Sequence, residues 1–192
     1  AAPVYSISGG ADAALFAIDS ATGALSFVVA PDYEAPDDTG ADNVYDITVQ
    51  VSDSNGGTDT QAISVTVTAV NDNAPVITSN GGGPTAAISV AENTGTVTTV
   101  SATDSDVPAP TLTYSISGGA DAALFTINAS SGALSFVAAP DYEAPADAGA
   151  NNVYDVTVMV SDGALTGTQA IAVTVTPQND NVPDISSNGG GL

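Results

Sequence analysis

Six acidic side chains in this sequence have the types and spacing of a metal site. Asp32 and Glu34 form a D-x-E, Asp72 stands between two asparagines, Asp104 and Asp106 form a D-x-D, and Asp162 follows a run of alternating valines. On extended backbone, residues two apart point the same way, so each such pair offers two carboxylates to one point. The chain holds 22 acidic residues and no lysine, arginine or histidine, giving a net charge of −22. No side chain of its own can therefore neutralise acids that gather. Two carboxylates about 5 Å apart repel by roughly 3 kcal/mol at an effective dielectric near 20. Ca2+ suits such a place best, because it takes about 6–8 oxygen ligands in irregular arrangements, whereas Mg2+ keeps more of its own water.

The same composition closes other routes. Without lysine or arginine nothing neutralises phosphate, so nucleic acid and anionic membrane surfaces are excluded as partners. Without histidine and cysteine there is no zinc, iron–sulfur or haem ligation, no Ser–His or Cys–His nucleophile and no disulfide. No run of 18 apolar residues exists, so no membrane insertion is expected. The chain is still 43% hydrophobic, with Val/Ile/Thr runs, and is expected to fold. Asp32 and Glu34 do not read as a glycosidase pair, which needs one acid of raised pKa in a substrate cleft. No catalytic residue and no enzyme is expected.

An internal repeat organises the chain. All ten aromatics fall into five pairs 109 residues apart: Tyr5/Tyr114, Phe16/Phe125, Phe27/Phe136, Tyr33/Tyr142 and Tyr45/Tyr154. The offset becomes 108 after the Asp53–Asp59 loop, so Asn71-Asp72-Asn73 matches Asn179-Asp180-Asn181. Residues 74–181 form one complete repeat, 1–73 the later two-thirds of another, and 182–192 the start of a third. A window on a longer tandem array is the simplest reading; a subunit completed by a neighbour's strands is the other.

Within the complete repeat, alternation and β-branched enrichment predict strands over 76–78 with 87–91, 96–103, 112–117, 124–128, 133–137, 152–161 and 169–176. Seven short strands without a helical period predict an all-β protein of antiparallel β-sandwiches. Val153, Val156, Val158, Val160, Ile171, Val173 and Val175 are the expected core, with Phe125 and Phe136. Counting strands up and down puts Asp104, Asp106 and Asp162 at the upstream pole of the repeat, and Glu92, Asp141 and Glu143 at its downstream pole. The same count sends Asp32 and Glu34 of the preceding repeat toward the first group, with Asp72 in the connector between. The remaining acids have quieter readings: Asp37, Asp38, Asp42, Asp59 and Asp147 as loop charges that keep a β-protein soluble, and Asp12, Asp19 and Asp121 as turn residues.

Taken in order, Ala91-Glu92-Asn93, Ala102-Thr103-Asp104-Ser105-Asp106, Asp141-Tyr142-Glu143, Val160-Ser161-Asp162 and Asn179-Asp180-Asn181-Val182-Pro183 resemble the motifs of the extracellular cadherin repeat. The resemblance implies tandem seven-stranded Greek-key sandwiches of immunoglobulin-like architecture, with Ca2+ bound between repeats and a rod that stiffens when loaded. It assigns Asp32, Glu34, Asn71, Asp72, Asn73, Asp104, Asp106 and Asp162 to one junction. Glu92, Asp141, Glu143, Asn179, Asp180 and Asn181 go to the next, and Asp53 to the one before. Two departures stand out: Ala69 and Pro177 occupy places where the family usually has Asp, and the family's D-R-E is D-Y-E here.

The near-identity of neighbouring repeats is similar to the long acidic arrays of bacterial surface adhesins. That implies an extracellular or cell-surface location, where Ca2+ sites of roughly 10⁻⁴–10⁻³ M still fill. The function expected is a calcium-rigidified stalk or fibre module, its partners being neighbouring repeats and identical chains in a fibre or biofilm matrix. The alternative is a module that binds carbohydrate or a homophilic partner, with Tyr33 and Tyr142 as its candidate contacts.

Overall fold

The computed structural model describes residues 2–53 and 55–183. The chain divides into two compact units: residues 1–72 with 105–109, and 73–104 with 110–192. Among the described residues every element longer than a 3₁₀ turn is a β-strand, so the all-β expectation holds. Of residues 182–192, read above as the start of a third repeat, those from 184 onward lie outside the described residues.

The first unit contains β1 (Val4–Gly9), β2 (Phe16–Ile18), β3 (Leu25–Phe27), β4 (Val44–Ser52) and β5 (Thr58–Thr66). They form a sheet ordered β1-β4-β5 and a β2-β3 hairpin. Phe16, Tyr45 and Ile47 are buried at its centre, with Ile7, Leu25, Phe27 and Ile63 packed around them.

The second unit contains β6 (Val76–Ile77), β7 (Thr85–Ala91), β8 (Thr96–Thr99), β9 (Ala102–Thr103), β10 (Thr113–Gly118), β11 (Phe125–Ile127), β12 (Ala133–Phe136), β13 (Val153–Ser161) and β14 (Thr166–Thr176). Two sheets, ordered β10-β13-β14-β7 and β11-β12-β8, enclose the core, while β6 pairs with β9. The first two expected strands, 76–78 with 87–91 and 96–103, appear as four separate strands, β6, β7, β8 and β9. The stretch 96–103 is thus not one strand. It breaks at Val100, which is buried and whose N–H donates to the Gly132 carbonyl at 2.9 Å. One pairing, β14 with β7, is parallel, which corrects the expectation of a purely antiparallel sandwich.

The expected core is found with one exception. Val156, Val158, Val160, Ile171, Val173, Val175, Phe125 and Phe136 are buried, whereas Val153, at the open end of β13, is only half-buried. Phe125 and Phe136 pair across β11 and β12 with ring centroids 4.6 Å apart, and Tyr154 meets Phe136 edge-on at 5.2 Å. The first unit repeats the motif with Phe16, Phe27 and Tyr45.

Candidate metal centre

Two groups of three carboxylates form, one in each unit. In the first, Glu34, Asp72 and Asp106 each bring an oxygen within 4.8 Å of the others. Asp106 is buried, and Glu34 Oε1 accepts the Val107 N–H at 3.1 Å, which ties the 105–109 segment to the D-x-E loop. In the second unit Glu92, Glu143 and Asp180 meet in the same way. Glu92 is only 2% exposed and accepts two backbone N–H groups, from Tyr142 at 2.7 Å and Gln178 at 2.6 Å. At the opposite end of the four-stranded sheet, Asp104 after β9 and Asp162 after β13 approach within the same 4.8 Å. Asp162 Oδ1 also takes the N–H groups of Ala164 and Leu165, both at 2.7 Å.

The other expected ligands take other positions. Asp32 Oδ1 accepts the N–H groups of Glu34 and Ala35, and Asp141 Oδ1 those of Glu143 and Ala144, so each first acid orders its own D-x-E loop and joins neither triad. Asp53 caps the β4–β5 hairpin, accepting from Asn55 at 2.8 Å and Gly57 at 2.9 Å, and stands in no acidic group among the described residues. Asn71 and Asn73 flank Asp72, and Asn179 is exposed. Asn181 donates to Asp180 Oδ1 at 3.1 Å. Asn93, which the ligand set passed over, donates to Asp180 Oδ2 at 2.6 Å. Its left-handed φ of 61° marks it as a turn asparagine.

Several acids assigned to solubility or local turns are internal fasteners instead. Asp38 and Asp147 are buried, and each accepts two N–H groups of the turn that follows it: Asp42 and Asn43, or Asn151 and Asn152. Burial pushes both carboxyls up, but these donors outweigh it and hold both below the ordinary aspartate range. Asp12, also buried, is held low chiefly by the N–H of Asp46 and then that of Thr39. Asp19 does act as a local turn residue, lowered first by the Thr22 N–H. Asp59 lies within β5, not in a loop.

Two oxygens bound to one Ca2+ at about 2.4 Å each lie at most about 4.8 Å apart, the spacing that both triads meet. All donors are hard oxygens, the chain carries no competing cation, and the set therefore fits Ca2+.

Residues 86–176 match the cadherin domain. The cadherin-like fold extends over nearly the whole chain. Mouse cadherin-23 EC22-24 is 25% identical with a TM-score of 0.62 over 92% of this chain, and the extracellular domain of protocadherin γB4 is 25% identical with 0.62 over 97%. Human protocadherin-24 EC1-2 shares the fold at 24% identity and a TM-score of 0.69, over 92% of this chain and 83% of its own. The chain spans 53% of the cadherin-23 fragment and 29% of the protocadherin γB4 domain. No curated protein matches it in sequence. Cadherin domains are non-enzymatic, calcium-binding adhesion modules of extracellular regions. No helix among the described residues is long and apolar enough to cross a membrane.

Proposed function

We propose that this chain is a stretch of a tandem cadherin-like array that serves as a calcium-stiffened stalk or fibre module of an adhesin, outside the cell or at its surface. Residues 1–73, 74–181 and 182–192 are its successive repeats. Glu34, Asp72 and Asp106, with Asp32, Asn71, Asn73, Asp104 and Asp162, bind Ca2+ at one junction; Glu92, Glu143 and Asp180, with Asp141, Asn179 and Asn181, belong to the next, and Asp53 to the preceding one. The observation that carries this reading is the pair of carboxylate triads in a chain without a single cationic side chain. A bound ion would supply the positive charge that offsets the mutual repulsion of these acids. Partners on this reading are neighbouring repeats and identical chains in a fibre or matrix.

A sugar-binding module is favoured less, because Tyr142 packs against the core of its unit and Tyr33 is half-buried in the matching place. Small-angle scattering tests the stalk reading. The maximum dimension and stiffness of the chain should rise with millimolar Ca2+ and fall with EDTA. Identical scattering in both would remove the stalk.

A further inference from the structure

The D-Y-E loops are gripped from behind by an asparagine that no ligand pattern singles out. Asn152 Nδ2 donates to the Tyr142 carbonyl at 2.9 Å, and Asn43 Nδ2 donates to the Tyr33 carbonyl at 2.9 Å. Each tyrosine is the middle residue between the two acids of its loop. Tyr142 is held on its other side too, since its N–H donates to Glu92 Oε2. The two peptide planes that flank Tyr142, one joining it to Asp141 and the other to Glu143, are therefore each held, the first at its N–H and the second at its carbonyl.

Behind each asparagine stands a buried aspartate. Asp147 Oδ1 takes the Asn152 N–H and Asp38 Oδ1 the Asn43 N–H, each at 3.0 Å. The two asparagines sit at φ of 62° and 63°, a left-handed conformation that asparagine tolerates better than most residues. Tolerance of that backbone does not by itself explain the choice, because Ala150 and Ala41, two residues earlier, adopt φ of 47° and 51° without a polar side chain. What asparagine adds is the amide donor. The contacts from aspartate to asparagine to tyrosine carbonyl recur in both repeats, although the turns that carry them differ at three of seven positions, Asp-Asp-Thr-Gly-Ala-Asp-Asn in one and Ala-Asp-Ala-Gly-Ala-Asn-Asn in the other.

We propose that Asn43 and Asn152 are positioning residues for calcium, which set the D-x-E loops Asp32–Glu34 and Asp141–Glu143 through the tyrosine carbonyls, with Asp38 and Asp147 anchoring them from behind. This rests on the calcium reading above. Residues that hold metal ligands in place, without touching the ion, typically change metal affinity by about 10–100-fold when removed.

The test uses the 192-residue chain. Asn43→Gly and Asn152→Gly keep a backbone that accepts positive φ but delete the amide. Asn43→Asp and Asn152→Asp keep the shape and turn the donor into an acceptor facing the carbonyl. Calcium affinity is measured by calorimetry, and amide exchange at Glu34 and Glu143, together with melting, is measured in EDTA. The expected result is at least about a tenfold loss of affinity in both glycine and aspartate variants and faster exchange in the loops, with metal-free melting of the glycine variants lowered by no more than about the few degrees that one lost hydrogen bond accounts for. Unchanged affinity, or a lowered metal-free melt with unchanged affinity, would overturn the inference while leaving the calcium reading intact. If the unmodified chain binds no calcium, the calcium reading falls, and the positioning inference with it.

Discussion

Asp121 and Asp155 are bound to each other reciprocally: the Asp121 N–H donates to the Asp155 carbonyl at 3.0 Å, and the Asp155 N–H donates to Asp121 Oδ2 at 2.7 Å. The other oxygen of Asp121 accepts the Ala148 N–H at 2.7 Å. One buried carboxylate thus joins the 3₁₀ turn Ala122–Leu124, the turn after Asp147 and strand β13. Asp12 repeats the arrangement in the first unit with Asp46 and Thr39. This acid belongs to the framework of the fold and stands apart from the triads.

Asp121→Ala leaves the N–H groups of Ala148 and Asp155 without acceptors, at about 1–3 kcal/mol for each orphaned donor. The melting temperature of the second unit is expected to fall by several degrees or more. The drop should be equal in calcium and in EDTA, which differential scanning calorimetry in both buffers checks.

Asp12, Asp38 and Asp147 are all held below the ordinary aspartate pKa by backbone donors. For a depressed carboxyl the stabilisation is fully present above the unfolded value, about 3.9, and is lost as pH falls through the lower folded value. In EDTA the chain should keep its fold at pH 5 and lose stability progressively below about pH 4. Circular dichroism melts from pH 7 to pH 2 follow this. Asp147→Asn should flatten the acid limb, and a steeper limb in that variant would contradict the assignment.

Gly132 adopts φ of 71°, and a Cβ there would overlap the Val100 carbonyl oxygen at the point where one strand breaks into β8 and β9. Gly132→Ala therefore has to move backbone and is expected to destabilise the second unit strongly, by several kcal/mol. Gly95, where a Cβ meets nothing within 4 Å, serves as the control. Gly95→Ala should stay within about 0.5 kcal/mol of the unmodified chain by urea denaturation.

Much of this was legible because β-sandwich cores are written in period two. Val156, Val158 and Val160 of β13 and the Ile171/Val173/Val175 set are apolar at every second residue, and burial follows that register. The poles were legible for the same reason: strand direction alone brings Asp104 to Asp162 and Glu92 to Glu143. The roles of Asp38 and Asp147 were hidden, because loop composition looks the same whether a carboxylate faces water or collects N–H groups from its own turn. The signal in the sequence is the recurrence of Asp, Gly, Ala and Asn at 38, 40, 41 and 43 and again at 147, 149, 150 and 152, while the other three positions of the turn change. The parallel β7–β14 pairing and the break at Val100 depend on which sheet a strand joins, which alternation does not encode.

Calorimetric titration of the chain with Ca2+ at pH 7, beside Asp106→Asn, addresses the metal centre most directly. Expected are saturable binding, a melting temperature higher in Ca2+ than in EDTA, and weaker binding with a smaller melting shift in the variant. No binding heat together with the same melting temperature in Ca2+ and EDTA would contradict the account.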